Sequence, residues 1–312
     1  MKLVVIGDIH GRSCWKDIIN KEEYDKVIFL GDYVSTHEKM TEEDQINNLE
    51  EILRFKEANP DKVVLLRGNH DTQHLGYPWA ECSGLFRNVA QYMSEQRKRF
   101  LEDTQWIYVQ DGIVFSHSGI SDVWMTNSGF MNLEEVNNAL PDERFGFIPD
   151  SIWDNYGDSV TQSCVWIRPQ SLCKCNLEHF DQVVGHTPVI RITDAYKAAK
   201  KKKHIWLCDA LPYEYLVIED GNFKVKNLSG KKLRLLNREA DLWLEQCEDG
   251  SWEFKSNENY ITEYIQVGLN EDDSIASVDP SGGPFITRGY KIGGYTVSEI
   301  REDLHLILTL NE

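Results

Sequence analysis

Three short apolar runs near the start of the chain lack polar alternation: Lys2 to Ile6, Lys26 to Leu30 and Lys62 to Leu66. Runs of this length predict strands buried on both faces, as in a parallel sheet covered by helices. Each stops at polar chemistry. The first gives way to Gly7-Asp8-Ile9-His10-Gly11, the second to Gly31-Asp32, and the third to Arg67-Gly68-Asn69-His70-Asp71. Open α/β sheets bind ligands beyond the carboxyl ends of their strands, so these residues are predicted to share one crevice. Between the runs the pattern turns helical. Ser13 is placed to cap a short helix reaching about Asn20, and Thr41 with Asp44 forms a capping-box-like start for a longer one. Ile46, Leu49, Ile52, Leu53 and Phe55 keep helical spacing until Pro60. The predicted order is β-α-β-α-β, with crossovers long enough for right-handed parallel connections.

Residues 72–104 are helical in pattern, with Phe86, Val89, Ala90, Met93 and Phe100 as a buried stripe. Trp106 to Gln110, the Asp111-Gly112 turn and Ile113 to Phe115 predict a β-hairpin that ends in Ser116-His117-Ser118-Gly119. From Ile120 to Glu178, an aromatic-rich segment with Trp124, Trp153 and Trp166 has no strand period and predicts helices and loops walling the crevice. Gln182 to Val184 is a further strand, ending in Gly185-His186-Thr187-Pro188, and Ile205 to Cys208 ends likewise in Asp209. Tyr215 to Ile218 then pairs with Phe223 to Val225 across Asp220-Gly221.

Beyond about Leu228 the character changes. Acidic residues outnumber basic ones 16 to 8 between Asn227 and Glu312, and no strand-end His or Asp motif returns. Alternation at Ser251 to Phe254 and Tyr260 to Val267 predicts strands, and Ser298 to Leu304 a short helix. The predicted division is residues 1–227 and 228–312, the second a small β-rich appended domain that packs against the first or recruits a protein partner.

At 312 residues and 41% hydrophobic the chain can bury a large core, and no run approaches the ~18 apolar residues of a membrane span. Met1 leads straight into the first strand, which leaves no room for a signal peptide. Seven irregularly spaced cysteines fit a reducing cytoplasm, and Cys173-Lys174-Cys175 lacks the second pair of a zinc site. A formal charge of -18 disfavours nucleic acid and anionic lipid as partners. The one basic run, Lys200 to Lys203, reads as a solvated loop.

Asp8, His10, Asp32, Asn69, His117 and His186 each follow an apolar strand. Carboxylates, imidazoles and an amide oxygen without thiolates suit Mn²⁺, Fe or Zn²⁺ in a catalytic site. Six ligands exceed what one open catalytic ion needs and match two ions about 3.5 to 4 Å apart with one bridging carboxylate.

Gly7-Asp-Ile-His-Gly11, Gly31-Asp-Tyr-Val34, Arg67-Gly-Asn-His-Asp71, His117-Ser-Gly119 and Gly185-His-Thr187 together resemble the ordered signature of the calcineurin-like metallophosphoesterases. Within that superfamily they look like the phosphoprotein phosphatase branch, over residues 1 to about 226. The resemblance implies a four-layer α/β/β/α sandwich. It implies that Asp8, His10 and Asp32 bind a first divalent ion, most readily Mn²⁺, and that Asp32 bridges to a second held by Asn69, His117 and His186. It further implies hydrolysis of a phosphorylated protein, nucleotide or small molecule by a metal-bridging hydroxide. His70 would protonate the leaving group, Arg67 and Arg168 would contact phosphate, and Asp209 would play a supporting part.

One stretch departs from the branch, which usually reads Gly-Asp-x-Val-Asp-Arg-Gly. Here Ser35 and Thr36 stand where an Asp that orients the catalytic His and an Arg that grips phosphate would be. His37, Glu38 or the Ser35 hydroxyl are the substitutes within reach of sequence. The rivals are a dinucleoside polyphosphate hydrolase or phosphodiesterase on the same fold and a non-catalytic scaffold, the latter disfavoured because every ligand position is filled. His74, His179, His204 and His305 match no motif and read as structural.

Overall fold

The computed structural model describes residues 1–36, 40–80, 82, 84–148, 159–189, 191–195 and 203–228, together with eight strands beyond residue 232. The chain divides into two compact units, Met1–Leu228 and Ser229–Glu312.

In the first unit the three apolar runs are strands β1 (Lys2–Ile6), β2 (Lys26–Phe29) and β3 (Val63–Leu66), paired in parallel as β1-β2-β3. Helix α1 (Trp15–Lys21) joins the first two, and α2 (Glu42–Ala58) the second and third. Thr41 caps α2 with the full reciprocal box to Asp44. Ser13 does not cap α1 with its side chain. Lys16 N and Asp17 N donate instead to the backbone carbonyls of Ser13 and Cys14. Helices α3 (Asn69–His74), α4 (Arg87–Glu95) and α5 (Arg97–Asp103) follow, burying Val89, Met93 and Phe100 of the predicted stripe. A two-residue strand absent from the sequence reading, β4 (Thr104–Gln105), extends this sheet in parallel beyond β3.

The predicted hairpin is β5 (Ile107–Gln110) with β6 (Ile113–Ser116), and it opens a second sheet. That sheet continues with β7 (Asp181–Pro188), and β8 (Thr193–Asp194) and β9 (Ile205–Asp209) complete it in the order β5-β6-β7-β9-β8. Strand β7 does not stop at Val184. Its pairing with β9 shifts register between Val184 and Pro188, so Gly185 to Pro188 belong to an irregular continuation of the strand. β10 (Glu214–Glu219) and β11 (Asn222–Asn227) return to the first sheet, where β10 lies antiparallel to β1. Between β6 and β7, short helices at Asp122–Asn127, Leu133–Asn138 and Pro169–Leu172 carry the wall, which buries Trp124 and Trp166. Trp153 lies outside the described residues.

Alternation along the strands sorts the layers. Leu3, Val5, Ile28, Leu30, Val64 and Leu66 point between the sheets, toward Phe115, Val183 and Cys208. Val4, Ile6, Val27, Phe29 and Leu65 point the other way, onto Trp15, Leu49, Ile52, Leu53 and Met93 of the helices. The outer side of the second sheet is covered by the cluster of Trp106, Trp124, Phe145 and Trp166 and by that of Ile167 and Leu172. The result is a helix, sheet, sheet, helix sandwich with an apolar layer between the sheets.

The second unit is an eight-stranded antiparallel sheet. Strands Trp252–Ser256 and Ile265–Leu269 overlap the predicted ones. The helix predicted from Ser298 is a correction, because Tyr295–Ile300 is a strand paired with Leu306–Leu310. A bulge between Val297 and Glu299 explains it. The extra residue breaks the period of two and puts Val297 and Ile300 three apart, which imitates a helix. Residues 301–305, with His305, lie outside the described set.

Candidate metal centre

Asp8, Asp32 and Asn69 leave the ends of β1, β2 and β3, all nearly fully buried. The turns that carry them are tied together: Ile9 N and His10 N both donate to the Asp32 carbonyl, at 3.1 and 2.7 Å. Three of the six predicted ligands, His10, Asp32 and His186, have positive φ (44°, 49° and 61°). That region disfavours a side chain by about 1 kcal/mol or more, and such strain collects at functional sites. Close approach is secured by glycines. A Cβ on Gly68 would strike the Asp32 carboxylate, and one on Gly185 the Asp8 carboxylate.

The six residues converge. Asp8, His10 and Asp32 form one group with ligand atoms within 4.8 Å of one another, and Asp32, His117 and His186 form a second. His10 Nε2 lies 3.9 Å from Asp8 Oδ2 and 4.0 Å from Asp32 Oδ2. His117 Nε2 lies 3.3 Å from the same Asp32 oxygen and 3.0 Å from Asn69 Oδ1. Each imidazole is backed by a carbonyl: His10 Nδ1 faces Val34 O at 3.0 Å, His117 Nδ1 faces Leu30 O at 2.9 Å, and His186 Nε2 faces Trp166 O at 3.1 Å. A carbonyl can only accept, so it draws the N–H to that nitrogen and turns the lone pair of the other toward the crevice.

This leaves acceptors facing acceptors. With its Nδ1–H on Leu30, His117 presents a lone pair to Asn69 Oδ1 and Asp32 Oδ2, an arrangement that needs a positive charge between them. Protons fill that need when no cation is bound. Burial works against charge on His117, but Asp32 and then Asp8 overcome it and raise its pKa to about 10. Burial, with Asp209 and Asp32 nearby, pushes Asp8 well above the usual carboxylate range. The donor set therefore fits a pair of divalent ions sharing Asp32, with oxygen and nitrogen donors only.

Residues 1–201 match the calcineurin-like phosphoesterase family profile. The chain belongs to the calcineurin-like phosphoesterase family. Among curated proteins it is 25% identical, over 171 residues, to a symmetrical bis(5'-nucleosyl)-tetraphosphatase of Methylobacillus flagellatus. That match covers 50% of this chain and 57% of the relative, so the chain spans little more than half the relative's length. Among solved structures it is similar to the cold-active protein-tyrosine phosphatase of a psychrophilic Shewanella (16% identity, 81% of this chain and 80% of that one, TM-score 0.46). It is similar too to a protein serine/threonine phosphatase from Saccharomyces cerevisiae (14% identity, 72% and 79%, TM-score 0.45).

Around the candidate ligands, the neighbouring side chains are held as follows. Arg67 is tied into the fold. Its Nε donates to Thr104 Oγ1 and its Nη2 to the carbonyls of Leu101 and Thr104, while its guanidinium stacks over Trp106. It ties β3 to the end of α5 and is 7% exposed, with Nε and Nη2 committed to the protein. Arg168 stays at the crevice, with Nη1 donating to His186 O at 2.8 Å and to Thr187 Oγ1 at 3.2 Å. The Ser35 hydroxyl donates to Gly84 O at 2.7 Å, so it does not orient His70. His37 and Glu38 lie outside the described residues.

His70 opens α3 beside the first group, its ring 5.4 Å from that of His10. Its Nδ1 lies 3.5 Å from Cys82 Sγ. Burial, reinforced by Asp32, pushes the Cys82 thiol up to about 12, so it stays protonated at neutral pH. Asp71 is a part that sequence reasoning quoted but gave no role. Its carboxylate accepts from Asp32 N, Tyr33 N and Gly68 N at 2.8 to 2.9 Å, which clamps the turn after β2 to the turn after β3. His74 is structural as read: Nδ1 faces His70 O and Nε2 accepts from Phe86 N. No metal-binding group forms at Cys173 or Cys175 among the described residues.

Proposed function

We propose that this phosphoesterase hydrolyses phosphate monoesters, in the manner of the phosphoprotein phosphatase branch, at a dinuclear Mn²⁺ centre. The observation that carries the reading is the pair of ligand groups that share Asp32. Asp8 and His10 with Asp32 would hold one ion, and Asn69, His117 and His186 with Asp32 would hold the other. Ions so held would supply Lewis acidity and an activated water to a bound phosphoryl group.

The chain's own residues do the rest. Arg168, fixed on His186 O, offers charge-assisted hydrogen bonds to phosphoryl oxygens. His70, with Nδ1 against Cys82, carries the leaving-group proton on Nε2 and delivers it to the departing oxygen. The six described cysteines are all free, in keeping with a reducing cytoplasm. Among the described residues no helix is long and apolar enough to cross a membrane.

A second reading, hydrolysis of dinucleoside polyphosphates, draws on the name of the Methylobacillus relative and on the loss of the Asp-Arg pair at Ser35-Thr36. Profiling the Mn²⁺-loaded protein on a phosphoserine peptide, p-nitrophenyl phosphate, its bis ester and a diadenosine polyphosphate separates the two. Preference for the monoesters supports the first reading. Preference for the diadenosine compound moves the assignment to the second, and hydrolysis of none of the four refutes both.

A further inference from the structure

Thr36 carries no charge, and Arg67 is turned into the core by Thr104 and Leu101. Of the two arginines that the resemblance assigns to phosphate, Arg168 is then the one at the crevice among the described residues, and a phosphate monoester bears two negative charges near neutral pH. A second guanidinium lies beside the ligands, at the Asp8 turn. Arg12 follows His10 and Gly11 directly, on a turn held through its backbone: Arg12 N donates to Ile9 O at 2.9 Å, and Arg12 O accepts from Asn48 Nδ2 at 3.2 Å. Its half-buried side chain brings Nη1 to 3.4 Å from the carbonyl oxygen of Asp8.

The two arginines are linked through the ligands themselves. Both Asp8 carboxylate oxygens accept from His186 N at 3.0 Å, and the carbonyl of His186 accepts from Arg168 Nη1. Arg12 thus leans on a ligand of the first group and Arg168 on a ligand of the second, joined by one hydrogen-bonded bridge. Buried Asp209, at the end of β9, lies within electrostatic reach of both arginines.

We infer that Arg12 is the second phosphate-binding cation and that, with Arg168, it grips the non-bridging oxygens of a phosphate monoester dianion. Guanidinium geometry suits it, since a planar fork meets two oxygens at once where an ammonium meets one. The pair also sets specificity. A monoester dianion has three terminal oxygens for two forks, whereas a diester monoanion has two terminal oxygens and one charge, so it gains less from Arg12. This inference rests on the phosphoesterase reading above.

The test is calorimetric titration of inorganic phosphate into the full-length Mn²⁺-loaded protein, with bound metal counted. KM is measured alongside for p-nitrophenyl phosphate and for bis(p-nitrophenyl) phosphate. Arg12→Ala is expected to keep two metal equivalents and weaken phosphate about tenfold or more, the loss of a charged hydrogen-bond partner. The monoester KM should rise in step and the diester KM by much less, and Arg12→Lys should recover part of the loss. Unchanged phosphate affinity in Arg12→Ala, or equal KM changes for both esters, overturns the inference. If Arg12→Ala loses metal, Arg12→Lys decides: metal retained with phosphate weakened upholds the role, while metal lost or phosphate affinity unchanged makes Arg12 a prop for the Asp8 turn. A wild-type protein that neither binds phosphate nor hydrolyses a monoester fails earlier, and the phosphoesterase reading falls together with this one.

Discussion

The two halves of the metal centre are built differently. Asp8, His10, Asp32 and Asn69 ride on consecutive turns of the first sheet, and those turns are laced to one another. Ile9 and His10 donate to the Asp32 carbonyl, and Asp71 collects three N–H groups from the next two turns. His117 and His186 come from the second sheet and are aimed by bonds that cross between sheets: His117 Nδ1 to Leu30 O, and His186 N to Asp8. The first half is preorganised by its own motifs. The second is placed by the docking of the sheets through the apolar layer of Leu3, Val5, Phe115 and Val183. Asp32 belongs to both ligand groups, and the comparison turns on it.

Asp32→Asn is therefore the substitution of largest expected effect. It keeps the shape and removes the charge that both groups share, so metal affinity and turnover should fall together, each by about a hundredfold. Full metal stoichiometry with full activity would mean that the halves do not meet at this residue. Asp71→Asn strikes only the first half. An amide there turns an NH2 toward donors, so stability should drop by about 1 to 3 kcal/mol in denaturant unfolding, with weaker metal binding. A variant as stable and as well loaded as wild type would show that the turns hold without the clamp.

What could be read from sequence divides along another line, between local pattern and distant backbone. Runs such as Val63 to Leu66, buried on both faces, are legible because nothing but a covered strand accommodates them, and Thr41 with Asp44 is legible because a capping box is local. All six ligands stand within short motifs. What stayed hidden is what depends on distant backbone. Arg67 sits in a strand-end motif, yet its direction is set by carbonyls of Leu101 and Thr104 and by Trp106, none of which the motif contains. Cys82 meets His70 across a loop with no period. Two-residue strands such as β4 and β8 carry no alternation to detect. Arg12 had a signal that went unused, a cation immediately after the Gly11 turn.

His70 stands at the edge of the first half, without a place in either ligand group. His70→Asn should keep both metals and lower the turnover number about a hundredfold or more on an alkyl phosphate, much less on p-nitrophenyl phosphate, whose leaving group needs little protonation. Cys82→Ala should show the same dependence on leaving group at smaller size, since it loosens the ring without removing it. Equal losses on both substrates would count against the proton-donor role of His70 and against Cys82 as its support.

The smallest expected effect belongs to the second unit, Ser229–Glu312. Both ligand groups, His70, Arg12 and Arg168 all lie within the first unit, and the family match ends at residue 201. The second unit brings an antiparallel sheet and an excess of acidic residues, whose field repels rather than gathers an anionic substrate. A protein ending at Leu228 should therefore bind two metal equivalents and hydrolyse p-nitrophenyl phosphate within about twofold of the full chain, as expected for a domain with its own core. Metal analysis and steady-state kinetics on the two proteins decide it. A truncated protein that is folded and metal-loaded but inactive would show that the two halves described here need a third part.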